Sequence, residues 1–277
     1  MRRNNIAIQG SVASFHDQAA KKFFGDEIEI TECGSFREVC DRLHKNQVDY
    51  GIIAIENKVA GTILLNYHLI EQFDLNIIGE TYLPVELFLL GKKDTKLDQI
   101  KEVVSHPMAL GQCQDFLSSQ DDVKVTEFKD TAESAKLIMR DPGNEIGVIA
   151  GQTVADYYGL EKLTDNICDE KLNFTRFYIL TKGKVNIERP NKASINIISK
   201  NEIGSLSEVL LVLKNYRINL TKIQSIPIPN NTAQYIFHLD LEFEDANDLE
   251  RAIEEVKVLA QQLKILGVYR SAKANEQ

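Results

Sequence analysis

Hydrophobic positions along the first 185 residues fall into short strand-like runs separated by amphipathic stretches of helical period, which predicts an α/β layered architecture. The run "NIAIQ" (5–9) precedes a helix from about Ser14 to Phe24. "IEITEC" (28–33) precedes a helix opened by Ser35, with Ser35 and Glu38 at capping-box spacing, and "YGIIAI" (50–55) reads as a buried strand. "LNIIGETYLPVELFLLG" (75–91) predicts two adjacent strands broken at Pro84, because proline cannot donate to a strand ladder. The alternation then resumes with "EVVSH", a helix from about Pro107 to Leu117, "VKVTEF", a helix from Asp130 to Arg140 and "IGVIA". Two lobes are expected, with a hinge near 79–84 and 168–177.

The pattern changes after "GKVNIERPNK" (183–192), whose Pro190 and polar neighbours mark a domain boundary between 1–185 and 192–277. Residues 192–270 read as "ASINIIS", a helix Ser205–Tyr216, "LTKIQSI", "AQYIFHLDLEF", a helix Ala246–Leu263 and "ILGVYR". That order, βαββαβ, predicts a ferredoxin-like unit. Leu206, Val209, Leu210 and Leu213 share one helix face, and Phe237, Leu239, Leu241 and Phe243 alternate with His238, Asp240 and Glu242. A lone unit of this size leaves one sheet face uncovered, so pairing with a second copy is expected.

Charge narrows the choice of partners. Thirty-two Lys and Arg against forty-one Asp and Glu give a formal charge of −9, which argues against nucleic acid or an anionic membrane surface; any bound anion must be held locally. "MRRNNIAIQG" has no apolar core behind its basic residues, and no run approaches the length that spans a bilayer, so a cytoplasmic protein is expected. Cys33, Cys40, Cys113 and Cys168 show neither CxxC pairing nor histidines at ligand spacing and are expected to be buried free thiols; no metal is expected. Cys113 is placed in a helix beside Ala109 and Phe116. Dinucleotide, P-loop, nucleophile-elbow and zincin motifs are absent.

What remains is a set of polar residues at strand-to-helix junctions, where helix N–H groups can receive a carboxylate. They lie in "GSVASFHDQAA" (10–20), "AIENKVAGT" (54–62), "VSHPMALGQC" (104–113) and "DTAESA" (130–135), joined by "NFTRF" (173–177), which sets a cation and a hydroxyl inside an apolar strand. Together these segments resemble the prephenate dehydratase family, whose members carry a glycine-rich first turn, an Ile-Glu-Asn-Ser segment, a Ser-His-Pro helix start and a Thr-Arg-Phe signature. The resemblance runs nearly end to end, because that family often carries a C-terminal ACT domain of βαββαβ order.

The resemblance implies a two-lobed, periplasmic-binding-protein-like catalytic region with its site in the cleft, working as a homodimer or homotetramer. The implied reaction removes water and carbon dioxide from prephenate to give phenylpyruvate, in phenylalanine biosynthesis. It needs no cofactor, since aromatisation drives the elimination. Thr175 is then expected to hydrogen-bond the departing hydroxyl, with the proton coming through water or His106, and Arg176 to clamp a substrate carboxylate, unless it is an edge-strand ion-pair residue. Asn173, Phe177, Ser14, His16, Glu56, Asn57, Ser105 and Thr131 are expected around substrate. Ser14, Ser105 and Asp130 with Glu133 also suit helix capping, and Lys58 either shares the carboxylate load or points to solvent.

Where the family has a second glycine and a serine in the first turn, this chain has Ala13 and His16; Ala54 and Lys58 replace a proline and a serine. In the C-terminal domain Gly204, Ser205 and Leu206 match the turn that receives phenylalanine, whereas the supporting Glu-Ser-Arg-Pro segment reads Gln224, Ser225, Ile226, Pro227. L-Phenylalanine is expected to bind and inhibit with a shallow response; alternatively Gly204 is only a tight turn and Ser205 with Glu208 only a capping box. Because the chain opens on its first strand, no chorismate mutase domain is expected ahead of it. Two rival readings remain: arogenate as substrate, or a non-catalytic amino-acid sensor.

Overall fold

The structure, a computed structural model, describes residues 2–120, 122–128, 131–228 and 231–272. The chain forms two compact units, Met1–Phe73 with Thr81–Phe177, and Asp74–Glu80 with Tyr178–Gln277. In the first, β1 (Asn4–Gln9) lies between parallel neighbours β2 (Ile28–Cys33) and β3 (Tyr50–Asn57), with α1 (Phe15–Phe24) and α2 (Phe36–His44) as crossovers. Ile52, Ile53 and Ile55 are fully buried, as a central strand covered on both faces requires. A short β4 (Gly61–Thr62) folds back on β3, and α3 (Leu64–Gln72) leads to β5 (Asn76–Pro84).

The chain then builds a second sheet from β6 (Phe88–Gly91), β7 (Glu102–Ser105), β8 (Lys124–Glu127), β9 (Ile146–Ala150) and β10 (Glu161–Lys162), in the order β10-β6-β9-β7-β8. Its helices are α4 (Pro107–Gly111), α5 (Gln114–Ser118), α6 (Thr131–Arg140) and α7 (Gln152–Tyr158). The helix expected from Pro107 to Leu117 is thus two, with Cys113 buried at the break, at the N-cap position of α5 without a capping side-chain hydrogen bond, rather than within a helix. β11 (Phe174–Thr181) returns to the first sheet between β3 and β5, completing the order β2-β1-β3-β11-β5.

Local signals explain several helix starts. Ser35 Oγ accepts from the Glu38 N–H at 3.2 Å, and the Glu38 carboxylate reaches back to the Gly34 N–H at 2.8 Å, a capping box shifted by one residue. Ala13 holds the left-handed conformation, φ 71°, which a side chain adopts at a cost and glycine does not; the Asp17 carboxylate takes its N–H at 2.8 Å. Asp130, expected to cap α6, lies outside the described residues.

The second unit contains β12 (Lys192–Ser199), α8 (Ser205–Asn215), β13 (Asn219–Ile228), β14 (Asn231–Glu242), α9 (Ala246–Leu259) and β15 (Ala260–Tyr269), with the antiparallel order β13-β14-β12-β15 of a ferredoxin-like sheet. α9 ends four residues earlier than its apolar period suggests, and 260–263 join β15. Ile195, Ile197, Leu239 and Leu241 form one core with Val209, Leu213, Ala252 and Val256 of the helices.

The opposite sheet face, expected to be open, is covered within the unit. Ser194, His238 and Asp240 are fully buried, and the Tyr178 hydroxyl reaches Asp240 at 3.0 Å, His238 at 3.1 Å and Ser194 at 3.3 Å. Nearby Lys192 is buried against Glu80 at 2.9 Å. All four cysteines are free and buried. Among the described residues no helix is long and apolar enough to cross a membrane, and no three His, Cys, Asp or Glu side chains cluster as metal ligands.

Candidate active site

A cavity of about 390 Å³ within the first unit is lined from both of its sheets. Four helix starts meet there: Ser14, Phe15 and His16 of α1, Ser35, Phe36 and Arg37 of α2, His106 and Met108 of α4, and Thr131 of α6. Their N–H groups and dipoles make the walls attractive to anions. Among the described residues no Asp or Glu lines the cavity, and Arg37 is the single Lys or Arg of the lining. Thr175 and Phe177 enter from β11, while Asn57 and Gln112 come from opposite lobes.

Asn57 organises the polar floor. It is almost fully buried, and its Oδ1 accepts from the N–H groups of Val59 at 3.0 Å and Ala60 at 2.8 Å and from Gln112 Nε2 at 3.3 Å. With Oδ1 fixed, Nδ2 donates to Asn173 Oδ1 at 2.9 Å and to Thr175 Oγ1 at 3.0 Å. Thr175 Oγ1 is therefore an acceptor toward the protein, which leaves its own proton for a group in the cavity. Donation into Oγ1 also polarises that O–H bond.

Two histidines line the cavity in different ways. His106 Nδ1 accepts from the Met108 N–H at 3.1 Å, so in the neutral ring the proton sits on Nε2. This side chain, not Ser105, caps α4; Ser105 is fully buried and donates to the Ile149 carbonyl at 2.6 Å. His16 packs between Phe36 and Phe177, with ring centroids 5.4 and 5.1 Å away. Its Nε2 is enclosed and makes no hydrogen bond among the described residues. Burial, and then the charge of His106, lower its pKa to about 3, so the ring is neutral near pH 7.

Of the residues expected around substrate, Ser14, His16, Asn57, His106, Thr131, Thr175 and Phe177 line the cavity together. Arg176 does not, because strand alternation sends 175 and 177 to one face of β11 and 176 to the other. Its side chain is buried with the guanidinium 5.8 Å from the Tyr82 ring centre, so this cavity gives the expected carboxylate clamp no geometric support. Asn173 supports from beneath through Asn57, Glu56 lies outside the lining, and Lys58 is exposed. Gln112, Ser35, Phe36 and Arg37 were not anticipated. Arg37 does leave a signal in the sequence: a cation in the first turn of a helix opposes the macrodipole, and such a position needs a reason.

In the second unit Gly204 is left-handed, φ 85°, and is the N-cap of α8. Ser205 Oγ donates to the Lys200 carbonyl at 2.7 Å, so it forms no capping box with Glu208. Leu206 packs on the helix-side core; Ile226 is buried, Ser225 exposed, and Gln224 Nε2 donates to the Ser225 carbonyl at 2.9 Å.

Residues 6–185 match the family model described as prephenate dehydratase. The bifunctional chorismate mutase/prephenate dehydratase of Aquifex aeolicus (strain VF5) is 34% identical over 273 residues, covering 98% of this chain and 75% of that protein. Two solved structures each give a TM-score of 0.86. One is GqqA, described as a novel type of quorum quenching acylase, at 26% identity over 98% of this chain and 99% of that one. The other is the prephenate dehydratase of Arthrobacter aurescens in complex with L-Phe, at 22% identity over 97% and 90%.

Proposed function

This chain belongs to the prephenate dehydratase family, and we propose that its cavity binds prephenate and converts it to phenylpyruvate, water and carbon dioxide, a step toward L-phenylalanine. Prephenate carries two carboxylates, and among the described residues Arg37 is the one Lys or Arg of the lining, beside four helix starts. Loss of the ring carboxylate as carbon dioxide leaves its bonding pair in the ring, which becomes aromatic as the C4–OH bond breaks. The hydroxide leaves as water. Thr175 donates its O–H in a hydrogen bond to that departing oxygen, and the proton that completes the water comes from solvent, with His106 Nε2–H as a further hydrogen-bond donor in the cavity wall. The observation that carries this reading is the 3.0 Å donation from Asn57 to Thr175 Oγ1, which aims the hydroxyl proton into the cavity. The same pairing favours chemistry over a purely amino-acid-sensing role.

Among the described residues the lining also favours prephenate over arogenate, whose ammonium would meet positive helix ends and no carboxylate there. The second unit is proposed as an ACT domain, 192–277, that takes L-phenylalanine at Gly204, Ser205 and Leu206 with Gln224, Ser225 and Ile226 alongside; the Arthrobacter structure has L-Phe bound. Assembly as a homodimer or homotetramer in the cytoplasm belongs to the same proposal, with edge strand β13 and its exposed Ile223 as the pairing surface. The test is direct: the purified chain mixed with prephenate should form phenylpyruvate, read by its absorbance, well above the uncatalysed rate. Product at the background rate only would overturn the reading.

A further inference from the structure

Cys113 and Cys168 are far apart in the chain and adjacent in the first unit, both buried in one apolar cluster with Val85, Leu110 and Leu117. Asp169 brings them together. Its N–H donates to the Gln112 carbonyl at 2.9 Å, and its carboxylate accepts from the N–H groups of Gln114 at 2.9 Å and Asp115 at 3.1 Å. Cys113 is thus tied on either side to the residue that follows Cys168, and the two thiols hydrogen-bond to each other. Sulfurs in direct contact, on backbones already joined beside them, meet the closeness that a disulfide needs. The hydrogen bond from Cys113 lowers the Cys168 pKa, with burial opposing it, and raises that of Cys113, so Cys168 carries the thiolate of the pair. Cys33 and Cys40 differ: burial pushes them up to about 11 and about 12.

We propose that Cys113 and Cys168 form a peroxide-sensitive, reversible disulfide site whose closure slows the reaction in the neighbouring cavity. Access comes through residues 163–173, which lie between β10 and β11 without regular secondary structure and open locally while the unit stays folded. The Cys168 thiolate attacks hydrogen peroxide, an S–O bond forms as the O–O bond breaks, and the hydroxide released takes up a proton. Cys113 sulfur then attacks the sulfenic sulfur, the S–S bond forms as the S–O bond breaks, and the departing hydroxide leaves as water with the Cys113 proton. In sum two thiols and one peroxide give one disulfide and two waters. The effect on turnover runs through Gln112, which precedes Cys113 and donates from Nε2 to Asn57 Oδ1 at 3.3 Å. Drawing the sulfurs to a bond of about 2.05 Å moves the α4–α5 junction, and so long a hydrogen bond is the first to break, which frees the Asn57 amide that holds Thr175. The effect on turnover rests on the reading of the cavity as the substrate site; the disulfide does not.

The test treats the purified, folded chain with hydrogen peroxide, alkylates the remaining thiols and maps the cysteines by mass spectrometry. The expected product links Cys113 to Cys168, leaves Cys33 and Cys40 alkylated and is fully reversed by dithiothreitol. The oxidised wild type should turn over prephenate roughly 10-fold more slowly than the reduced protein, and Cys168→Ala, which cannot form the bond, should keep its rate under the same treatment. Alkylation of Cys113 and Cys168 after peroxide, or linkage to other cysteines, would overturn the disulfide site. A linked protein with unchanged kcat would overturn the route through Gln112. A reduced wild type inactive on prephenate, with the disulfide formed on oxidation, would overturn the reading of the cavity and the effect on turnover while the disulfide stands.

Discussion

His16 Nε2 and the whole His238 ring are enclosed in this protein, and they differ in what surrounds their nitrogens. In the C-terminal sheet His238 Nδ1 meets Asn196 Oδ1 at 3.0 Å, and Nε2 meets Asp240 at 3.2 Å and Tyr178 at 3.1 Å. Ser194 joins the same group, donating to Asp240 at 2.6 Å and pairing with Tyr269 at 2.7 Å. That cluster uses its hydrogen-bonding capacity internally, as a polar network in a low-dielectric interior must to be stable. In the first unit, among the described residues, His16 Nε2 makes no hydrogen bond and Thr175 Oγ1 accepts from Asn57 with no acceptor for its own proton. The two also differ in burial: His16 is partly exposed as a residue and His238 is fully buried.

The sharpest way to break that contrast is to open the closed cluster. Asp240→Ala removes the acceptor of Tyr178, Ser194 and His238 together and leaves three buried polar side chains short of a partner. A loss of about 3 kcal/mol or more in unfolding free energy is expected. Denaturant titration would check it, and a loss below about 1 kcal/mol would show that water replaces the carboxylate and that the cluster is not closed.

Next in size is the open site. Thr175→Ala removes a single hydroxyl that Asn57 orients, so the folded protein should keep its stability within about 1 kcal/mol while kcat falls by roughly 10²-fold or more. Near-normal turnover would remove Thr175 from the mechanism.

The contrast also shows what was legible in the sequence. The β/α alternation, the ferredoxin-like order and the junction residues Asn57, His106 and Thr175 follow from local periodicity and from short motifs, which survive without knowledge of distant contacts. His238 and Asp240 were legible as one face of β14, but the cover on that face comes from Tyr178 and Glu80, remote in the chain and unmarked by any pattern. Arg176 drew attention as a cation in a strand, yet the period of two that places Thr175 in the cavity takes Arg176 out of it. Gln112 reaches Asn57 across 55 residues, a pairing that no local pattern encodes.

A third test separates the two arginines. Arg37 is exposed and among the lining residues, but its Nη2 donates to Gln72 at 2.9 Å and its guanidinium lies 5.6 Å from the Phe73 ring centre, both outside the lining, so it must turn to reach a substrate; Arg176 is buried. Arg37→Ala is expected to raise KM for prephenate roughly 10- to 100-fold with a smaller change in kcat, the loss of a charge-assisted hydrogen bond to a carboxylate. Arg37→Lys should recover part of the affinity, since a point charge replaces a planar fork. An unchanged KM in Arg37→Ala would return the carboxylate-binding role to some other group.

The smallest effect, taken over a single pH unit, comes from His16 through proton linkage. Its pKa is lowered from an ordinary 6.5 to about 3, chiefly by burial and secondarily by His106. Above pH 6.5 the ring is neutral in both the folded and unfolded chain, so its contribution to stability is fully present. Between 6.5 and 3 the unfolded chain binds a proton that the folded chain refuses, so stability is lost as pH falls and the loss levels off near pH 3. The slope approaches about 1.4 kcal/mol per pH unit across that window. His16→Phe has no such group. Urea titrations at pH 6 and pH 5 should therefore show the wild type losing up to about 1.4 kcal/mol more than His16→Phe over that unit. Parallel losses in the two proteins would mean that His16 is already protonated or solvated in the folded state, and its Nε2 would then have water as its partner.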